Sequence, residues 1–218
     1  MIAMTDGITW LAESKCVDFS GHSVHASREL APEELVSRIA ESAFDAKYTA
    51  RHIGELTGRQ VNDLLDDLYG DVWDGLALRY GRDGDWSFAV CYGGWMGEMV
   101  NQAAVSHGGA HVFHLEYEEE NGKPVPPHFA YFHDGEFACG FNLHLDRSWG
   151  YAGVDGKPEW VRRVEPLLTA VGLPDEDADR RLVRRTALDI LGQVFGLALP
   201  RHRIVEGTLD SVVLEDAD

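Results

Sequence analysis

Histidine is the residue of this chain best suited to chemistry, and the spacing of its ten copies limits what they can do. His111 and His114 are three apart, so on one strand they point to opposite faces and cannot share a metal. His114 and Glu116 are two apart and share a face. On a later run, Glu136, Asn142, His144 and Asp146 share a face as well. If those two runs are neighbouring strands, His114, Glu116 and His144 converge as metal ligands. The chemistry would then be that of a metal-assisted hydrolase or a small-ligand-binding enzyme. The competing reading is a polar, solvated sheet face. No HExxH or HxH pattern decides between them.

The stretch CYGGWMGEMV, residues 91–100, poses a second question. Glycines ahead of a helical run can cradle phosphate on free backbone N–H groups. This stretch is neither GxxxxGK[ST] nor GxGxxG, and Glu98 would occupy the positive helix end and repel an anion. A strand-to-helix corner is the simpler account, and Tyr92 and Trp95 are then candidates for an exposed binding surface. The cysteines Cys16, Cys91 and Cys139 form no CxxC pair and read as small buried hydrophobes. The arginines of RRLVRR, residues 180–185, have acidic residues four positions away and read as surface helix pairing. No GxSxG motif, Cys–His motif or spaced carboxylate pair is present, and nothing in the sequence implies a cofactor.

The elements that would position these residues follow from hydrophobic period. Ile8–Ser14 reads as a short helix or turn anchored by Trp10 and Leu11, and HSVHAS as a short strand. APEELVSRIAES has Pro32 in its first turn and an apolar stripe of Leu35, Val36 and Ile39, so it reads as a helix. Residues 45–70 read as a helical embellishment interrupted at Gly54 and Gly58. From residue 76 the period is two, and a hairpin spans 76–92 with an aromatic face. A second hairpin covers 128–145 around Asp134-Gly135, with Phe132 opposite Phe137, Ala130 opposite Cys139 and Phe129 opposite Gly140. The C-terminal part reads as helices, with Asp175 as a cap and Leu182, Thr186, Ile190 and Phe195 on an inward face, followed by an acidic tail over 206–218. The expected fold is α+β: an antiparallel sheet packed with N-terminal and C-terminal helices in a single domain.

Composition narrows the function. An apolar fraction of 44% and a charged fraction of 26% are ordinary for a globular chain that buries a core. The net charge of -18, from 37 acidic and 19 basic residues, argues against nucleic acid as a partner. No apolar run approaches the ~18 residues of a membrane span, and the N-terminus lacks a secretion signal, so a cytoplasmic protein is expected.

The pieces GDWSFAV, GGWMG, AVSHGGAHVF, FAYFHDGEF and ALDILGQVFGLAL, with ITWLAES near the start, resemble an uncharacterised actinobacterial family described only as a domain of unknown function. The resemblance spans Trp86 to Leu199 and is poorest over 45–70. It implies no activity and carries over no catalytic residue.

Charge and motif content favour a noncatalytic, immunity-like or regulatory module that binds another, basic protein. Its contacts would be Tyr92, Trp95, and the acidic pair Glu118 and Glu119 of the EYEEE run. The metal-assisted enzyme on His114, Glu116 and His144 is the alternative. A structural subunit with exposed aromatics as an oligomer interface is the third, and the oligomeric state is left open.

Overall fold

The computed structural model describes residues 7–18, 21–44, 46–94, 99–119, 127–147, 153–175 and 177–217. Among them are nine strands: β1 (Gly21–Ser27), β2 (Tyr48–Leu56), β3 (Leu76–Asp83), β4 (Trp86–Gly93), β5 (His111–Glu118), β6 (His128–His133), β7 (Glu136–Asn142), β8 (Asp155–Gly156) and β9 (Leu209–Asp216). They form one antiparallel sheet in the order β2-β9-β3-β4-β1-β5-β6-β7-β8. The α-helices are α1 (Pro32–Glu41), α2 (Gly58–Tyr69), α3 (Gln102–Val105), α4 (Pro158–Ala170), α5 (Arg180–Phe195) and α6 (Arg201–Val205), with a 3-10 turn at Thr9–Ala12. The fold is α+β. No helix among the described residues is long and apolar enough to cross a membrane.

Side-chain alternation along the strands gives the sheet two apolar faces, each covered by helices. On one face Val24, Phe88, Val90, Phe113, Leu115 and Phe129 pack under α2, α4 and α5 together with Trp10 and Leu11. On the other, Leu78, Ala89, Cys91, Val112 and Val212 pack under Leu35, Val36 and Ile39 of α1 and Val105 of α3. Each large aliphatic side chain buried this way contributes about 1.5–3 kcal/mol. The stripe expected of APEELVSRIAES is therefore the docking face of α1.

Residues 45–70 depart from the helical reading. Their first half, Tyr48–Leu56, is edge strand β2, and only Gly58–Tyr69 is helix. The helix starts at a capping box in which Thr57 and Gln60 satisfy each other's backbone, and it stops at Gly70 with φ 81. Strand β2 is mostly exposed and charged. Arg51 pairs with Glu215 at 2.6 Å and His52 lies 3.3 Å from Asp210, and such charges blunt a sheet edge. The segment read as an acidic tail supplies the partner: Leu209–Asp216 is β9, an interior strand between β2 and β3. Its acidic residues flank a buried Val212-Val213-Leu214 run that both apolar faces need.

The second hairpin turns at Asp134-Gly135 as expected, but its register slips after Phe132↔Phe137. Beyond a bulge Tyr131 meets Cys139, Ala130 meets Gly140, Phe129 meets Phe141 and His128 meets Asn142. At Gly140 it is the ring of Phe137, at 3.0 Å from where a Cβ would stand, that fills the space. The strand ends at Asn142, short of the expected 145. Helix α5 is capped by Asp179, whose side chain accepts the Leu182 N–H, and not by Asp175. Leu182 is 61% exposed and turns outward, whereas Ile190 and Phe195 of the same expected stripe do face inward, joined by Val183, Ala187 and Leu191.

One buried cation ties these parts together. Arg79 of β3 has no exposed surface. It donates to Leu56 O at the end of β2 (2.9 Å), to the Tyr92 hydroxyl of β4 (2.8 Å), to Ile204 O of α6 (2.8 Å) and to Gly207 O (2.7 Å). Gly58, first residue of α2, has no room for a side chain here: a Cβ would lie 2.8 Å from the Tyr92 oxygen. Replacing Arg79 with Met is expected to cost about 3–5 kcal/mol, because several buried oxygens lose their donor at once. Tyr92→Phe should cost about 1–2 kcal/mol. Urea unfolding of both variants measures this, and an Arg79→Met loss below about 1 kcal/mol would contradict the network.

Candidate metal centre

Strand register builds the site. Ser23 of β1, Glu116 of β5 and His128 of β6 are successive Cα partners, so they form one row across three strands. His25, His114 and Ala130 form the next row. The two rows lie on the sheet face covered by α1 and α3. His114 Nε2 is 3.2 Å from Glu116 Oε2 and 3.1 Å from Ser23 Oγ. One nitrogen or carboxylate oxygen from each of His114, Glu116 and His128 lies within 4.8 Å of the others. The His114 and His128 rings meet edge to face at 5.2 Å, and His25 stacks on His114 at 4.5 Å. Gln102 of α3 closes the group, its Nε2 2.8 Å from His25 Nε2.

Burial sets the charge state of the histidines. It holds His25 well below the usual imidazole range, helped by the neighbouring His114. It brings His128 down to about 4, against a smaller upward pull from Glu116. The Cys91 thiol, 3.7 Å from His25 Nδ1, is pushed up to about 12 by burial, so it is protonated at neutral pH and inert as a nucleophile. A Ser–His–Glu relay does not fit either. Ser23 and Glu116 address the same nitrogen of His114, whereas a relay needs the carboxylate on the other ring nitrogen.

The geometry does fit a metal. Two ligands about 2.0 Å from a tetrahedral zinc stand about 3.3 Å apart, close to the 3.2 Å between His114 Nε2 and Glu116 Oε2. A cavity of about 320 Å³ adjoins the cluster, lined by His114, His128 and Gln102 and by the apolar Phe44, Val100, Phe132 and Phe137. Gln102 Oε1 is buried and has no hydrogen-bond partner among the described residues.

Of the expected metal set, the structure brings His114 and Glu116 together and puts His128 in third place. His144 goes elsewhere. Asn142 Oδ1 accepts the N–H groups of His144 and Leu145, a turn that takes the chain off the strand and sets the His144 ring 5.8 Å from Tyr117. By alternation Tyr117 faces away from Glu116. His128 escapes a sequence reading because nothing local to it announces that β6 pairs with β5 in the register that sets it opposite Glu116. Ser23 and His25 left a signal in HSVHAS, where polar residues alternate with Val24 and Ala26.

The expected partner surface fares differently. Tyr92 is buried, its hydroxyl held by Arg79, so it is not an outward contact. Trp95 lies outside the described residues. Glu118 is half-buried, paired with Gly21 along the sheet, and the Glu119 carboxylate accepts from Ser14 Oγ and from Lys15 N at 2.8 Å. Gly93 packs tightly at the end of β4, where a Cβ would sit 2.0 Å from Gly75 O, and among the described residues the next helix is α3 at Gln102. Arg184 of RRLVRR is likewise no surface residue, since it lies buried over Tyr117 at 4.3 Å and donates to Ala12 O.

The sequence pattern of a family described as "Family of unknown function (DUF6461)" matches residues 1–217. The chain belongs to this family. No curated protein and no solved structure matches it. The chemistry of this DUF6461 member is therefore read from its own residues.

Protonation also sets acid stability. His22, on the opposite face, is brought to about 3, first by burial and then by Arg184, against an ordinary 6.5. Between those two pH values the unfolded chain binds a proton that the native chain does not, so stability falls as pH drops from 6.5 towards 3. His25 and His128 act in the same direction. Each contributes a slope of up to about 1.4 kcal/mol per pH unit. With chelator present, urea unfolding from pH 7 to 4 should show this loss, and His22→Asn should make the slope shallower by one proton. A pH-independent stability would contradict the neutral burial of these rings.

Proposed function

We propose that this DUF6461 member binds one divalent metal of the zinc class on His114, Glu116 and His128, and that the centre serves metal-assisted hydrolysis of a small ligand in the adjoining cavity. The observation that carries the proposal is the convergence of those three ligand atoms within 4.8 Å at the wall of the 320 Å³ cavity. Two imidazoles and a carboxylate match catalytic zinc sites, which keep a fourth position open. A metal there would polarise a carbonyl and lower the pKa of bound water to about 7. The chain's own groups have distinct parts. Low proton affinity keeps His128 available as a ligand into mild acid. The Ser23 hydroxyl, 3.1 Å from His114 Nε2, stands where it can bond to whatever takes the fourth position. Gln102 Oε1 offers a buried acceptor to a ligand N–H or O–H group, and the phenylalanines give the cavity an apolar wall. The free thiols Cys16, Cys91 and Cys139 support a reducing, cytoplasmic setting, and we take the family to be actinobacterial on the motifs quoted above.

Protein purified without chelator should carry about one zinc per chain. Excess zinc at about 100 times Kd should stabilise the apo form by about 2.7 kcal/mol. His114→Ala and His128→Ala should weaken metal binding by about 100-fold or more, Ser23→Ala by about 10-fold, and His144→Ala not at all. Elemental analysis and melting curves read these outcomes. Apo protein whose melting curve ignores added zinc would overturn the proposal.

The net charge of -18 supports a second reading, a noncatalytic module that meets a basic protein through Glu118 and its neighbours. Glu118→Gln would then slow association and flatten its salt dependence, and an unchanged rate would end that reading.

A further inference from the structure

On the opposite face of the sheet, α4 and the end of α5 enclose a second cavity of about 200 Å³. Its interior is aromatic. Phe113 and Tyr131 stack at 4.5 Å, and Phe195 meets Tyr131 edge-on at 5.3 Å. Trp86 and Trp160 line it too, and each carries a guanidinium: Arg28 lies 4.4 Å from the Trp86 ring and Arg163 lies 4.7 Å from that of Trp160. Both arginines are oriented by the C-terminal carbonyls of α5. Arg28 Nη2 donates to Phe195 O (3.0 Å) and Gly196 O (3.3 Å), and Arg163 Nη2 donates to Val194 O (3.4 Å). Among the described residues, their remaining N–H groups make no other hydrogen bond and neither arginine has an ion-pair partner. That is notable in a chain where acidic residues outnumber basic ones 37 to 19.

We propose that this cavity binds a small planar aromatic carboxylate. A cavity of about 150 Å³ takes a benzene ring, so the 200 Å³ here suits one ring and its carboxylate and is too small for a nucleotide. The aromatic walls take the ring in offset or edge contacts. The two guanidiniums supply fixed, planar donor pairs matched to a carboxylate, and stacking on tryptophan holds those pairs in place. Glu29 also lines the cavity and opposes an anion, although its Oε2 is engaged by the His111 N–H at 3.2 Å. The site is independent of the metal proposed above.

Benzoate is the probe, titrated into the full chain with chelator present so that a metal cannot capture the carboxylate. Calorimetry and tryptophan fluorescence read binding, expected with a Kd on the order of 1 mM. Benzyl alcohol, the neutral isostere, and inorganic phosphate, which lacks the ring, should each bind at least about 10-fold more weakly. Arg163→Gln and Arg28→Gln should each weaken benzoate about 10-fold or more. Glu29→Gln should tighten it, a gain that damage to the fold would not produce. The exposed Arg163 gives the variant least coupled to folding, and melting curves check all three. Equal binding of benzoate and benzyl alcohol, no saturable signal with benzoate, or affinity unchanged in folded Arg163→Gln and Arg28→Gln proteins would overturn the assignment.

Discussion

A guanidinium with no exposed surface organises this fold. Arg79 sits mid-strand in β3, where an apolar residue would ordinarily stand, and the acceptors of its four hydrogen bonds are all neutral oxygens. Burying an unsatisfied charge costs several kcal/mol, so these acceptors must be in place together. They come from the end of β2, from β4, from α6 and from the turn leading into β9. The charge therefore works as a condition on assembly. The sheet edge, the corner helix and the returning C-terminal strand satisfy it jointly or leave it unpaid. The absence of a side chain on Gly58 belongs to the same condition, because α2 has to approach the Arg79–Tyr92 pair closely.

The second constraint is that histidines stay neutral inside the sheet. Burial lowers the proton affinity of His22, His25 and His128. A neutral His25 can stack on His114 without the repulsion of two cations. The same property makes neutral imidazoles ready ligands, since no proton has to leave first. Structure and candidate chemistry thus use one physical fact. Rows of alternating residues put polar groups on one face of β1, β5 and β6 while Val24, Phe113, Leu115 and Phe129 fill the other.

Local patterns made much of this legible from sequence. The 76–92 hairpin, the α1 stripe and the Asp134-Gly135 turn each follow from a strong short-range signal. The pairing of His114 with Glu116 needed only the period of two. What stayed hidden depends on contacts between distant segments. YTARHIGEL has no decisive period, and its strand state comes from pairing with β9, more than 150 positions later. His128 comes beside Glu116 because β6 pairs with β5, and the hairpin register slips because Ala138 is squeezed out of the ladder with β7; no local pattern announces either. His144 leaves the strand through the side chain of Asn142, and Arg184 is buried because Tyr117 and the carbonyl of Ala12 receive it. In each case a tertiary partner overrides the local preference.

The position of β9 has a consequence for how the chain is made. It lies between β2 and β3, two strands that precede it by more than 120 residues and do not pair with each other. Until β9 has been made, β3 has an open edge and β2 has no ladder to join. The sheet becomes continuous only after residues 209–216 have left the exit tunnel. Such long-range closure slows folding and leaves hydrogen-bonding edges exposed in the meantime. Over that interval the excess of acidic over basic residues, 37 against 19, acts before the native state exists, as electrostatic repulsion that discourages nascent chains from pairing with one another.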